Sequence, residues 1–145
     1  MKIFMVLFVS LFATAAMSCP PINSKFQCEK NPDDPSDTGA ISVESVQSGA
    51  NTFYKWTDMD TGESSMYPTD GQKYAMENGG TYVGTCAGNN FQMMLTGTDA
   101  TVGPYTVDMY YTLDSAQNLF NKGTIQFTYQ GQNHTEEFEN TCTKL

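Results

Sequence analysis

An all-β domain is the fold this sequence predicts: an antiparallel meander of eight to ten strands, closed or nearly closed into an up-and-down barrel. Three observations predict it. From Ala40 onward the chain consists of short runs rich in Val, Thr, Tyr and Phe, punctuated by Gly and Asn. Several of these runs alternate apolar with polar residues, which is the period of a strand with one buried face. The connections, such as SGAN, AGNN and YQGQN, are short enough to force sequential strands to run antiparallel. Closure is favoured because it removes exposed edges, and a β-sandwich is the alternative.

The chain opens MKIFMVLFVSLFATAAMSC: one charge at Lys2, an apolar stretch broken only by Ser10 and Thr14, then small residues. This is the pattern of a secretory signal peptide over residues 1–18, with the mature start placed at Cys19. Cleavage after Ala15 or Ala16 is the alternative. No later segment approaches the roughly 20 apolar residues of a membrane span. Residues 19–145 then form a single disulfide-bonded β domain in a secreted or periplasmic location. A new N-terminal cysteine also raises lipid anchoring, although the segment before it lacks the usual Leu.

After KFQCEK, the first weak strand, comes KNPDDPSDTG, polar and carrying two prolines, which reads as a surface loop. The remaining strands follow in order as ISVESV, TFYKWT, SSMYP, QKYAM, TYVGTC, FQMML, YTVDMYYTLD, TIQFTYQ and EEFENTC. In YTVDMYYTLD the alternation turns Tyr105, Val107, Met109, Tyr111 and Leu113 inward. TIQFTYQ adds Ile125, Phe127 and Tyr129, and FQMML adds Phe91, Met93 and Leu95. If these side chains leave a cavity, Phe91, Met93, Tyr105, Met109, Tyr111, Phe127 and Tyr129 are the expected ligand-binding residues of the barrel interior.

Four cysteines, Cys19, Cys28, Cys86 and Cys142, make an even set in the exported part and read as two disulfides. No CxxC pair points to zinc. Of three possible connectivities, Cys19–Cys28 with Cys86–Cys142 is expected first, since Cys19 lies outside the strands and can fold back locally. Cys28–Cys142 is the alternative if the first and last strands are neighbours in a closed barrel.

The formal net charge of −9 becomes −10 without Lys2, and the chain has no arginine. With single, scattered lysines it lacks the basic clusters that neutralise phosphate, which argues against nucleic acid as a partner. The acidity suits solubility outside the cytoplasm.

The segment CPPINSKFQC resembles the opening of small exported proteins of Gram-negative, including predatory, bacteria. These have a Cys-Pro start followed by an aliphatic residue, a Gly, an aromatic and a second Cys, with two more cysteines later. Cys19, Pro20, Ile22, Phe26 and Cys28 stand at matching places, Cys86 and Cys142 match the later pair, and Ser24 replaces the Gly. The resemblance implies a lipocalin-type barrel and carries over no activity.

The run TDMDTGESS holds the Asp-Thr-Gly tripeptide of aspartic proteases at Asp60, Thr61 and Gly62. Such enzymes need two aspartates sharing one proton in an apolar setting. Here there is one copy, among Asp58, Met59 and Glu63. Calcium is the second reading, with Asp58 and Asp60 as candidate ligands and Asp33, Asp34 and Asp37 as a second set, but the order departs from an EF-hand. The plain reading is a hairpin tip with Gly62 at positive φ. His134, the single histidine, falls in the polar turn GQNHTEE, and no GxSxG elbow accompanies it. Asn133-His134-Thr135 is a glycosylation sequon, meaningful in a eukaryotic source. Of Glu136, Glu137 and Glu139, Glu136 shares the face of Phe138; a solvated strand end is the plain reading, and a place at the barrel mouth is the alternative. In FYKWT, Phe53/Lys55 and Tyr54/Trp56 face opposite sides, so one face exposes aromatic area, and Tyr110 faces outward.

The expectation is therefore a non-enzymatic exported binding module with no cofactor, such as a carrier of a small apolar molecule. The alternative is a surface-interaction protein, an inhibitor or adhesion factor, acting through loops and exposed aromatics.

Overall fold

A computed structural model describes residues 19–30, 38–77 and 79–145. The expected signal peptide (1–18) and the stretch with Asp33, Asp34 and Asp37 lie outside the described residues. Ten strands and no helix occur among them: β1 (Asn23–Gln27), β2 (Ala40–Ser48), β3 (Asn51–Asp58), β4 (Ser64–Pro68), β5 (Asp70–Ala75), β6 (Thr81–Ala87), β7 (Asn90–Asp99), β8 (Gly103–Leu113), β9 (Leu119–Tyr129) and β10 (Gln132–Lys144).

Every sequential pair except β4–β5 forms an antiparallel ladder, and β1 pairs with β10, giving one sheet in the order β4-β3-β2-β1-β10-β9-β8-β7-β6-β5. The sheet curls into a nearly closed barrel with an unsealed seam between β4 and β5. The local chemistry explains the gap. Thr69 alone joins the two strands, too short a link for a hairpin. Pro68 lacks an N–H at the end of β4, and β5 is bulged between Asp70 and Lys73. One side-chain bond crosses the gap: the Tyr82 hydroxyl donates to the Pro68 carbonyl at 2.5 Å. By contrast β9 and β10 meet in a regular two-residue hairpin, with Gln130 and Gly131 both at positive φ as a type I′ turn requires.

The period-2 pattern turns the expected faces inward. Phe91 and Met93 on β7 are buried, as is Val107 on β8, with Met109, Tyr111 and Leu113 packed close by. On the other half of the barrel Ile22, Phe26, Val43 and Tyr54 complete the core, each fully buried. Aromatic rings bridge the two halves: Tyr54 and Phe91 lie 4.4 Å apart, Trp56 and Tyr111 4.9 Å, Tyr67 and Tyr82 5.2 Å. The centre of the barrel is thus filled by side chains and is not a deep empty cup.

Two expectations are corrected, the disulfide pairing and the place of His134, and the inward face of β3 is assigned. The disulfides are Cys19–Cys86 and Cys28–Cys142, not Cys19–Cys28 with Cys86–Cys142. β1 runs extended between Cys19 and Cys28 at roughly 3.3 Å per residue, which separates them well beyond bridging range. Its register sets Gln27 opposite Thr143, so Cys28 falls beside Cys142, at a Cα–Cα distance of 4.1 Å. The segment before β1 crosses the barrel end, where the Tyr54 hydroxyl donates to the Pro20 carbonyl at 2.6 Å, and delivers Cys19 to β6. Cys19 is therefore held in a disulfide. Next, Tyr54 and Trp56 face the interior, because their cross-strand partners Ser45 and Val43 do. The outward aromatic of β3 is the half-buried Phe53. Finally, His134 lies within β10 opposite Phe127, not in the turn.

Candidate functional site

A cleft of about 480 Å³ opens where β1 leaves β10. The large stagger of that junction creates it. β1 and β10 share two register pairs, Phe26 with Lys144 and Gln27 with Thr143, after which the Cys28–Cys142 bridge holds the strands together. Beyond the bridge the strands separate, and the inner faces of β3, β8, β9 and β10 come to the surface. Trp56 and Tyr111 line the cleft with rings crossing at 65°, and Ile41 and Leu119 supply aliphatic wall. Glu29 and Lys30 stand at its exposed rim.

Its polar groups are few and placed by register. Tyr111, Asn121 and Asn140 occupy successive opposite positions on β8, β9 and β10, so two carboxamides share the inner face with a phenol. Burial pushes the Tyr111 hydroxyl up to about 12, partly offset by a hydrogen bond with the Asn121 side chain. The Trp56 indole N–H is buried without a hydrogen-bond acceptor among the described residues. An unpartnered buried donor of this kind costs about 1–3 kcal/mol. The described lining offers shape, ring faces and hydrogen bonds.

The residues expected to line a ligand cavity are dispersed. Tyr111 lines the cleft. Phe91 and Met93 are sealed in the core, and Met109 packs against it. Tyr105 and Phe127 oppose each other on β8 and β9, farther along, where Phe127 stacks on His134 at 5.2 Å. Tyr129 is 40 % exposed near the hairpin tip. Trp56, one of the aromatics of FYKWT, lines the cleft instead, and Asn121 and Asn140 join it from outside the expected set. Extending the alternation of TIQFTYQ back through Gly123 turns Asn121 inward, and the parity of Phe138 does the same for Asn140. Those two polar residues on an inward face were a readable signal.

The acidic tip of TDMDTGESS does different work. Asp58 Oδ1 accepts the N–H groups of Asp60 and Thr61 at 2.8 and 3.0 Å, tying the hairpin tip. The Asp60 carboxylate accepts the N–H and hydroxyl of Thr38 at 2.8 and 2.7 Å, pinning the approach to β2. Among the described residues no group of three His, Cys, Asp or Glu side chains is placed to hold a metal. Because both carboxylates already accept hydrogen bonds, millimolar calcium is expected to leave the melting temperature unchanged in a thermal scan. A calcium-dependent rise would reverse that assignment.

A second cleft, of about 530 Å³, lies along the open seam between Met66, Tyr67, Tyr74 and Tyr82. There Tyr74 donates to Asp70 at 2.6 Å, which holds the carboxyl below its ordinary value and raises the phenol. The deeper tyrosines give a pH signature. Burial raises Tyr54, Tyr82 and Tyr111 above the ordinary value of 10, Tyr111 to about 12. Below pH 10 the phenols are neutral in folded and unfolded chains alike. Between 10 and 12 only the unfolded chain ionises, so stability falls as pH rises through that window. Near-ultraviolet titration is expected to show these tyrosinates appearing together with unfolding.

Comparison with protein families, curated proteins and solved structures finds no match.

Proposed function

We propose that the protein is an exported binding module that holds a small, mostly apolar molecule with a hydrogen-bonding edge in the cleft between β1 and β10. The observation that carries this reading is the cleft itself, which sets the Trp56 and Tyr111 rings beside Asn121 and Asn140. A volume of about 480 Å³ suits a compact ligand of one or two rings. A mouth of this kind, beside a filled core, takes the place of the deep cup of a carrier barrel. Two disulfides suit an oxidising compartment outside the cytoplasm, and the signal-peptide pattern at the start of the chain agrees.

Trp56 is the one tryptophan, so its fluorescence reports on the cleft directly. Native mass spectrometry of protein taken from its source is expected to show a bound small molecule. Its removal and return should shift Trp56 emission, and Asn140→Leu should weaken rebinding about tenfold, a lost hydrogen bond of about 1.4 kcal/mol. An adduct-free protein whose emission no indole-sized or phenol-sized compound changes would sink the proposal.

A further inference from the structure

Among the described residues β10 has a partner on one side only for most of its length. Its ladder with β9 is regular from Gln132 opposite Tyr129 to Cys142 opposite Leu119. On the other side β1 joins it only at Thr143 and Lys144. Among the described residues no strand pairs with the outer edge of residues 132–141. The other two edges of the sheet are protected: β4 is short and ends at Pro68, and β5 is short and bulged. The β10 edge carries neither a proline nor a bulge.

Its side chains alternate by face. Thr135, Glu137 and Glu139 share one face. His134, Glu136 and Phe138 share the other, in register with the apolar β9 residues Phe127 and Ile125 and with Gly123. All three glutamates are exposed, while His134 and Phe138 are half-buried. Between Leu119 and Cys142 the basic side chains are Lys122 and His134. Two copies of this edge, paired antiparallel, would set glutamates against glutamates, which is unfavourable. A strand of opposite charge meets no such barrier.

We infer that the outer edge of β10 is a docking site for an extended basic segment of another protein. The segment is added as an eleventh strand, with Lys or Arg at alternate positions facing Glu137 and Glu139 and apolar residues between them. Main-chain hydrogen bonds would supply affinity, and the two faces would select the alternating pattern. Electrostatic steering by a chain of net charge −9 would speed encounter. The edge meets the cleft at Asn140, so a strand added that far would run along the cleft mouth, and a ligand in the cleft is expected to affect its docking only at that end.

The test uses the full mature chain and a synthetic peptide alternating Lys with Val and Thr. Two comparison peptides accompany it, one with Glu for Lys and one N-methylated at alternate amides. Calorimetry is expected to give binding of the basic peptide that weakens with salt, loses about tenfold or more in the N-methylated form, and is absent for the acidic peptide. The exposed double variant E137K/E139K should fold normally by circular dichroism and exchange the preference between basic and acidic peptides. Amide shifts or exchange protection should map to residues 132–141. Equal binding of the N-methylated peptide would reduce the site to diffuse surface charge and overturn the inference. So would the absence of binding at millimolar peptide, or sedimentation showing that a second copy occupies the edge.

Discussion

Replacing Cys28 and Cys142 with serine is expected to destabilise the domain by about 5 kcal/mol, because the bridge closes a loop of 114 residues and loop-closure entropy scales with that length. A domain of this size is stable by only about 5–15 kcal/mol, so the variant should melt more than about 10 °C lower. The effect is also local. Two register pairs alone would then tie β1 to β10, and Cys28 and Cys142 line the Trp56 cleft. Red-shifted Trp56 emission is expected well below the melting point. The Cys19–Cys86 bridge spans 67 residues and has nearly the same entropic value, but it anchors the segment before β1 to the end of β6. Its removal should lower the melting temperature without changing Trp56 emission in the folded state. If both pairs change emission alike, the cleft does not depend on the Cys28–Cys142 junction.

Gly84→Val is expected to cost about 3 kcal/mol, through the seam. Gly84 sits on β6 beneath the Tyr82 ring, and a Cβ there would collide with the Tyr82 hydroxyl and the Pro68 carbonyl oxygen. The Tyr82 side chain could swing away, but the Pro68 oxygen is backbone and can move only with β4. The substitution therefore forces the seam wider and breaks the Tyr82–Pro68 hydrogen bond. Overpacking costs about 1–3 kcal/mol and a lost buried hydrogen bond about 1 kcal/mol. Tyr82→Phe alone removes only the bond. A double-mutant cycle on urea midpoints should give strong coupling between the two sites, since both act on one contact. Additive effects would show that the seam is not held there.

The strands themselves were legible because alternation is local. A residue's neighbours at ±1 and ±2 state which way it faces, and ten short runs separated by turns leave few arrangements. Phe91, Met93 and Val107 are buried as the pattern requires. Where alternation is relative, it leaves the inward face open. In FYKWT it separated Tyr54/Trp56 from Phe53/Lys55 correctly but could not say which pair was inside. The answer lies in Val43, opposite Trp56 on another strand. Asn121 and Asn140 stood on inward faces in the sequence, yet only the register across β8, β9 and β10 brings them together beside Tyr111.

By itself the sequence determined the all-β class, the strand segments and the even set of cysteines, because each rests on composition or on short-range period. The tertiary structure alone decided the disulfide partners, the stagger that opens the cleft and the long edge of β10 that no described strand pairs. The Cys28–Cys142 bridge, the cleft and the edge all depend on how far β1 slides along β10 before pairing. That shift is set by curling ten strands around one filled core, a long-range packing condition that no local window of residues contains.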